Sequence, residues 1–248
     1  MDARRLAYLQ ALDIDVWERR DRAQAQSVSP ATGSPASRAA PAEDPTPLQT
    51  PPASSDDIAC MGWDALASAV RTCTRCDLHA TRTQAVFGVG DRHARWMVIG
   101  EAPGSEEDRQ GEPFVGRAGQ LLNTMLQAIG LAREQVFIAN ILKSRPPHNR
   151  DPRPEEVRAC IPYLFRQIEL VDPVLLLCVG RIAAQTLLET DAPIGKLRGR
   201  LHRIAGNRPM IVTYHPAYLL RSPGEKRKSW ADLLLALRTF EQLQGRAS

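Results

Sequence analysis

Residues 94–99 read ARWMVI, an apolar run that ends at Gly100, and residues 117–131 read RAGQLLNTMLQAIGL, an amphipathic helical pattern. The runs VFIANIL (136–142), VLLLCV (174–179) and MIVTY (210–214) follow, and helical patterns over 153–170, 182–189 and 226–243 come after them. Near-continuous apolar strands that alternate with helices are typical of a parallel sheet covered on both faces. The sequence therefore predicts an α/β fold.

Composition divides the 248 residues into three parts. Residues 1–20 are predicted to form a short amphipathic helix, residues 21–55 a Pro/Ala/Ser-rich disordered linker, and residues 56–248 the folded domain. The net charge of +4 permits an anionic partner without requiring one. Neither a secretory signal nor an apolar run of membrane-spanning length is present, so we expect a cytoplasmic protein.

Polar and aromatic side chains cluster after the predicted strands, at the edge where parallel sheets bind ligands. Phe114 lies in the turn-rich segment GEPFVG (111–116), where it either anchors a loop or offers a stacking surface for a planar base. Asn140 lies inside an apolar strand, where its amide is either satisfied structurally or pairs with a base edge. With His215 directly after the fourth strand, these positions predict a binding or catalytic cleft.

The cysteines indicate a metal or an iron–sulfur cluster more than a disulfide framework, because their number is odd and no signal peptide precedes them. Cys73 and Cys76 form a C-x2-C pair ahead of the sheet, and Cys160 lies on the helix after the second strand. Cys178 lies in an apolar strand and is expected to be a core thiol.

Four segments together resemble the family 4 uracil-DNA glycosylases, the iron–sulfur branch of the uracil-DNA glycosylase superfamily. They are CTRCDL (73–78), GEAPGSEEDRQGEPFVGRAGQLL (100–122), NILKSRPPHNRDPRPEEVRAC (140–160) and HPAYLL (215–220), and the resemblance extends over residues 60–243. It implies a three-layer α/β/α sandwich with a four-stranded parallel sheet. It also implies an enzyme that flips uracil out of DNA and hydrolyses its N-glycosidic bond.

The resemblance assigns four residues to the uracil pocket. Phe114 would stack on uracil, and Asn140 would pair with its O4 and N3 edge. Glu107 is a candidate for crowding C5 and excluding the methyl group of thymine, and Ala102 stands where other branches place a catalytic Asp.

The resemblance also implies catalytic and DNA-contacting residues. His215 would hydrogen-bond O2 of the leaving uracil, Asn149 would help place the attacking water, and Glu101 would line the reaction site. The gap left by the flipped nucleotide would be filled from the segment Leu219, Leu220 and Arg221.

Ser144 departs from the family pattern, which has a cysteine directly before RPP. The expected ligand set is therefore Cys73, Cys76 and Cys160 with Ser144 at the usual fourth-cysteine position, and the expected cofactor is an iron–sulfur cluster, 4Fe-4S in the family. Four outcomes stay open: a serine alkoxide ligand, a three-cysteine cluster with an exchangeable fourth position, rescue by Cys60, or no cluster.

Other functions are also compatible with parts of the sequence. A superfamily member that acts on hypoxanthine or xanthine, and a DNA-binding module without catalysis, both retain the pocket; a redox or metal-sensing regulator uses only the C-x2-C pair. The expected partner is uracil-containing DNA, single- or double-stranded, and the expected oligomeric state is a monomer. Residues 2–20 either dock onto a repair or replication protein or form an extension without a specific role.

Overall fold

The computed structural model describes residues 55–245, and a six-stranded mixed sheet lies at their centre. The order across the sheet is β1-β3-β2-β4-β6-β5. The strands are β1 (Val89–Gly90), β2 (Trp96–Gly100), β3 (Phe137–Asn140), β4 (Leu175–Val179), β5 (Leu201–Ile204) and β6 (Arg208–Thr213).

The four central strands confirm the predicted parallel sheet, whereas its strand number is wrong. Strands β3, β2, β4 and β6 are mutually parallel. Two further strands, β1 and β5, pair antiparallel with β3 and β6 at the two edges. Neither edge strand appears as an apolar run in the sequence, because β1 has two residues and β5 is largely exposed.

Helices cover both faces of the sheet, as the α/β prediction requires. The α-helices are α1 (Ser55–Cys60), α2 (Trp63–Arg71), α3 (Ser105–Gln110), α4 (Arg117–Ala128), α5 (Pro154–Val171), α6 (Arg181–Leu188), α7 (Ile194–Leu197), α8 (Pro216–Arg221) and α9 (Lys226–Gln244). Short 3-10 turns lie at Asp77–Ala80, Arg133–Gln135, Pro147–Asn149, Ala205–Asn207 and Pro223–Glu225.

Alternate residues of each central strand enter two separate cores, since successive side chains of a strand point to opposite faces. Met97 and Ile99 of β2 pack in a core with residues of α5 and α6. Trp96 and Val98 of the same strand pack with residues of α4 and α9. The continuous burial of β2 follows from this double coverage.

The strand order changes direction at β2, which places a crevice at the carboxyl ends of β2 and β4. The chain runs from β2 to β3 on one side and then crosses to β4 on the other. Open α/β sheets bind ligands at such a switch point. The loops after Gly100 and Val179 are therefore the first place to look for a site.

Two predictions lie outside residues 55–245: the helix at 1–20 and, except for Ser55 at the start of α1, the linker at 21–55. None of the helices over residues 55–245 has the apolar stretch that a membrane span requires.

Candidate active site

A cavity of about 700 Å³ opens at the carboxyl ends of β2 and β4. Most of the residues that were predicted for the site share it. The predicted residues that line it are Glu101, Ala102, Glu107, Phe114, Asn140, Asn149, His215 and Arg221.

The floor of this pocket is formed where Gly100 lets Asn140 and Phe114 approach the end of β2. A Cβ at Gly100 would lie 2.4 Å from Oδ1 of Asn140 and 2.5 Å from Cζ of Phe114. Asn140 is 2% exposed, and its Oδ1 is buried without a hydrogen-bond partner within residues 55–245. A buried acceptor without a partner is costly, so this oxygen favours the ligand-binding interpretation of Asn140 over the structural one.

Phe114 is held in an unusual backbone conformation, with a φ of 55°. The Arg133 guanidinium fastens it by donating to the carbonyl oxygens of Pro113 (2.6 Å) and Phe114 (3.3 Å). The Phe114 ring stacks against the His215 ring at a centroid distance of 5.6 Å. Left-handed geometry at a non-glycine residue is concentrated at functional sites, where the surroundings impose it.

Glu107 ties the two loops of this wall together. Its Oε1 accepts from the backbone N–H groups of Val115 (3.0 Å) and Gly116 (3.1 Å), and its Oε2 accepts from that of Gly104 (3.1 Å). The carboxylate is thus engaged with three backbone donors while the side chain lines the pocket.

His215 is neutral and has a defined tautomer. Burial, with the nearby Arg221 cation, lowers the pKa of His215 to about 4. The backbone N–H of Ala217 donates to Nδ1 over 3.1 Å, so the single proton of the neutral ring resides on Nε2. Gly180, at a φ of +105°, lets the backbone come close to this ring, because a Cβ there would be 3.2 Å from two atoms of His215.

Glu101 has a pKa raised to about 7, because it is buried and faces the Asp151 carboxylate, an effect that the Arg181 guanidinium opposes. Arg181 and Asp151 form an ion pair of 2.9 Å, and both line the pocket. Sequence reasoning missed this pair, although Arg181 follows an apolar strand as directly as Glu101 does.

Asn149 lies on the loop after β3 with a φ of 53°, beside His148 with a φ of 56°. Its Oδ1 accepts a hydrogen bond of 2.7 Å from Nε of Arg145. Its backbone N–H donates to the carbonyl of Pro146. The side chain is therefore oriented by its own loop at the pocket wall.

Helix α8 places the three residues predicted for DNA contact in different surroundings. Leu219 is 1% exposed and packs in the core with residues of α4 and α9. Leu220 is half-buried and Arg221 is exposed. Tyr218, which the prediction overlooked, is an exposed aromatic residue at the pocket. Its signal in the sequence was an aromatic side chain three residues after His215.

The three predicted cysteine ligands do not together form a metal-holding group within residues 55–245. Cys160 lies close enough to Cys76 to lower the pKa of the Cys76 thiol to about 6, and burial together with the neighbouring Cys73 raises the pKa of the Tyr163 hydroxyl. Oγ of Ser144 accepts from the guanidinium of Arg82 over 2.8 Å.

Over residues 55–245, no group of three or more His, Cys, Asp or Glu side chains is arranged to hold a metal ion. Cys60 is exposed at the end of α1. Cys178 is a buried free thiol, as predicted.

Comparison with known proteins gives one consistent result. Residues 87–235 match the model of the uracil DNA glycosylase superfamily. The chain is 46% identical to a type-4 uracil-DNA glycosylase of Archaeoglobus fulgidus, over 68% of this chain and 88% of that protein. Similar enzymes of Pyrobaculum aerophilum (41%, covering 71% and 93%) and Thermotoga maritima (44%, covering 62% and 80%) carry the same description.

Proposed function

The chain belongs to the uracil-DNA glycosylase superfamily, among its type-4 members, and on this basis we propose how its pocket works. It is a DNA repair glycosylase, a hydrolase that removes uracil from DNA and leaves free uracil and an abasic site. The observation that supports this mechanism best is the buried, unpartnered Oδ1 of Asn140 in a cavity that His215 also lines.

Asn140 selects the base. Its Oδ1 needs a hydrogen-bond donor, and uracil presents one at N3–H, whereas cytosine presents a lone pair at N3. The amide N–H of Asn140 then donates to O4 of uracil, where cytosine carries an amino group. A site built from buried polar groups rejects a base that leaves them unpaired by a large factor.

His215 stabilises the leaving group. As the glycosidic bond breaks, negative charge develops on N1 and O2 of uracil, and the Nε2–H of the neutral ring donates to O2. This donor acts mainly in the transition state, so its removal is expected to cost roughly 10²–10³ in kcat. A neutral histidine supplies the donor without a change of its own charge.

Glu101 activates the attacking water, and Asn149 positions it. With a pKa raised to about 7, Glu101 has a basicity suited to accepting the proton of the water that attacks C1′ near neutral pH. Arg145 fixes the Asn149 side chain that helps position this water. Ala102 has no carboxylate to activate the water, unlike the catalytic Asp of other branches. The reaction can proceed without it, because an oxocarbenium-like sugar reacts with a weakly activated nucleophile.

Phe114 and Glu107 shape the pocket around the base. The Phe114 ring provides the surface on which uracil stacks. Glu107 holds the loop of Val115 and Gly116 against Gly104, and we propose that this rigid wall excludes the thymine methyl group at C5. Glu107 thus affects base selection by fixing the position of the loop that contains Val115 and Gly116.

The exposed face of α8 contacts DNA. We assign the gap left by the flipped nucleotide to Leu220 and Arg221, with Tyr218 as a stacking surface for a neighbouring base. Extrusion costs a few kcal/mol and costs less for a mispaired uracil. Both single- and double-stranded DNA present a uracil that this face can accept.

A cluster-dependent step is not part of this mechanism. Membership of the type-4 group is consistent with an iron–sulfur cluster, and the family pattern would use Cys73, Cys76, Cys160 and position 144. These side chains do not fit a four-ligand cluster as they are placed, because the three cysteines form no metal-holding group within residues 55–245 and Oγ of Ser144 accepts from the Arg82 guanidinium.

We further propose that the protein acts as a cytoplasmic monomer. All five cysteines, each within residues 55–245, are free thiols, which suits a reducing compartment. Residues 1–20 remain a candidate docking segment for a repair or replication protein.

The test of the proposed function is a substrate panel with purified full-length protein. Oligonucleotides carry a single uracil, hypoxanthine, xanthine, cytosine or thymine, and free base is measured for wild type and Asn140→Ala. Release of uracil that is strongly reduced in the variant supports the proposal. Preferential release of hypoxanthine or xanthine favours the rival substrate class, and tight binding of uracil DNA without product favours a binding module.

A further inference from the structure

Arg82 joins three separate segments of the chain behind the active-site loop. One of its terminal nitrogens donates to Oγ of Ser144 over 2.8 Å. The other donates to the carbonyl oxygens of Arg71 (2.9 Å) and Cys73 (3.0 Å). One guanidinium therefore connects the end of α2 and the C-x2-C segment with the start of the loop after β3.

The candidate ligand residues of this region do not form a four-ligand site. Oγ of Ser144 accepts from Arg82 over 2.8 Å, and Cys73, Cys76 and Cys160 form no group of three that could hold a metal ion within residues 55–245. An iron–sulfur cluster requires its ligands to face a common centre as anions. The Ser144 hydroxyl already accepts a hydrogen bond from the Arg82 guanidinium. A metal ion that bound the same oxygen would have to displace this guanidinium.

The Arg82 segment reaches both walls of the pocket. The backbone N–H of Val86 donates to the carbonyl of Lys143 over 2.8 Å. The backbone N–H of Thr83 donates to the Asp108 carboxylate, and Gln84 donates to the carbonyl of Arg109, which fastens the segment to α3.

The two elements that the Arg82 segment contacts, α3 and the loop after β3, each carry a residue that acts at the pocket. On one side, α3 carries Glu107, which clamps the uracil-binding loop. On the other side, Ser144 is followed by Arg145, whose Nε orients Asn149. Loss of the Arg82 contacts would therefore loosen the water-positioning loop with little direct effect on DNA contacts.

We propose that this chain dispenses with the iron–sulfur cluster, and that Arg82, with Ser144 as its acceptor, holds the C-x2-C segment to the active-site loop in its place. Arg82 is then a positioning residue for Asn149. The catalytic part of this inference rests on the proposed function, whereas the cofactor part does not.

The first test is a metal analysis of the full-length protein. Iron and acid-labile sulfide are measured with a visible absorption spectrum, after anaerobic purification and again after anaerobic incubation with ferrous iron and sulfide. The expected result is no stoichiometric iron or sulfide under either condition. Stoichiometric iron and sulfide that are lost in Cys160→Ala would overturn the proposal, whether or not the protein releases uracil.

The second test compares Arg82→Met, Arg82→Lys and Ser144→Ala in uracil release. Arg82→Met is expected to lower kcat by between about tenfold and a hundredfold with KM little changed, because loss of alignment affects the chemical step. Arg82→Lys keeps the charge but not the fork of donors, and should recover part of the loss. Arg92→Met is the matched control, since Arg92 forms an exposed ion pair with Asp64 outside the pocket.

A kcat that is unchanged in Arg82→Met would overturn the positioning role, and so would a loss of the same size in Arg92→Met. If Arg82→Met does not fold, Ser144→Ala removes one acceptor only and is expected to show the same kcat-selective loss at a smaller size. A wild-type protein without uracil release contradicts the proposed function, while the metal analysis still decides the cofactor part.

Discussion

Gly100→Ala perturbs the floor of the uracil pocket without removing any polar group. The new Cβ would lie 2.4 Å from Oδ1 of Asn140, and 2.5 Å and 2.7 Å from two ring carbons of Phe114. Ordinary van der Waals contact begins near 3.4 Å. The Asn140 amide and the Phe114 ring must therefore each retreat by roughly 1 Å, on the scale of misplacements that impair catalysis.

The size of the effect follows from this displacement. A misplacement of about 1 Å in a catalytic geometry costs on the order of 10²-fold in rate. Overpacking of a core costs about 1–3 kcal/mol of stability. Since the displaced oxygen is the one that meets N3–H of uracil, we expect kcat/KM to fall by about a hundredfold in a protein that still folds.

The assay is single-turnover release of uracil from an oligonucleotide, with thermal unfolding measured on the same preparations. Gly62→Ala is the matched control, because a Cβ at Gly62 meets nothing within 4 Å and its φ is −74°. A Gly100→Ala variant that folds and releases uracil at the wild-type rate would refute the assignment of this floor to base recognition.

Four further predictions rest on the same structure. His215→Ala should lower kcat by roughly 10²–10³ with little change in KM, measured by steady-state uracil release, whereas a raised KM with an unchanged kcat would point to ground-state binding instead. Because the pKa of Glu101 is raised to about 7, its carboxylate form is lost as the pH falls through about 7. A plot of kcat/KM against pH should therefore decline on the acid side, and Glu101→Gln should abolish this decline. Arg181→Gln removes the cation that lowers the pKa of Glu101 and should move the acid-side decline to higher pH. A shift to lower pH would contradict the assignment of this decline to Glu101. Asp232→Ala leaves Arg198 and Thr213 without their buried acceptor and should cost about 3–5 kcal/mol in urea unfolding, whereas Asp64→Ala, which removes an exposed partner of Arg92, should cost about 0–1 kcal/mol.

The central strands could be predicted because each is buried on both faces and therefore reads as an apolar run. Strand β4, LLLCV, is an example, with every residue buried. Strand β5 alternates exposed and partly buried residues at the sheet edge, and its sequence LHRI resembles a polar loop. The edge pairing depends on contacts with β6 that no local pattern records.

The pocket could be predicted in part because the carboxyl ends of parallel strands meet at one edge. Glu101, Asn140 and His215 each stand at or just after such an end. The pairing of Arg181 with Asp151 joins the start of α6 to the loop after β3, and spacing along the chain does not reveal it.

The outward-facing residues of α8 could not be predicted from the motif, because they depend on the helical register. Pro216 and Leu219 lie three residues apart in α8 and share its buried face. Tyr218 and Arg221 lie on the exposed face of the same helix. A motif alone does not show which residues of a short helix point outward.

Ser144 illustrates how one substitution changes the meaning of a cysteine pattern. The spacing of Cys73, Cys76 and Cys160 alone indicates a cluster, whereas the side chain at the fourth position accepts a hydrogen bond from Arg82. That arginine lies six residues after the C-x2-C pair and carries no signal of its own in the sequence.

The most direct test of the central claim is single-turnover release of free uracil from duplexes that contain one U·G, U·A, C·G or T·A pair, with wild type and His215→Ala side by side. The mechanism predicts uracil release from both uracil duplexes, no base from the cytosine and thymine duplexes, and a rate that is roughly 10²–10³ lower in the variant. A folded wild-type protein that releases no uracil, or a His215→Ala variant that retains the wild-type rate, would contradict it.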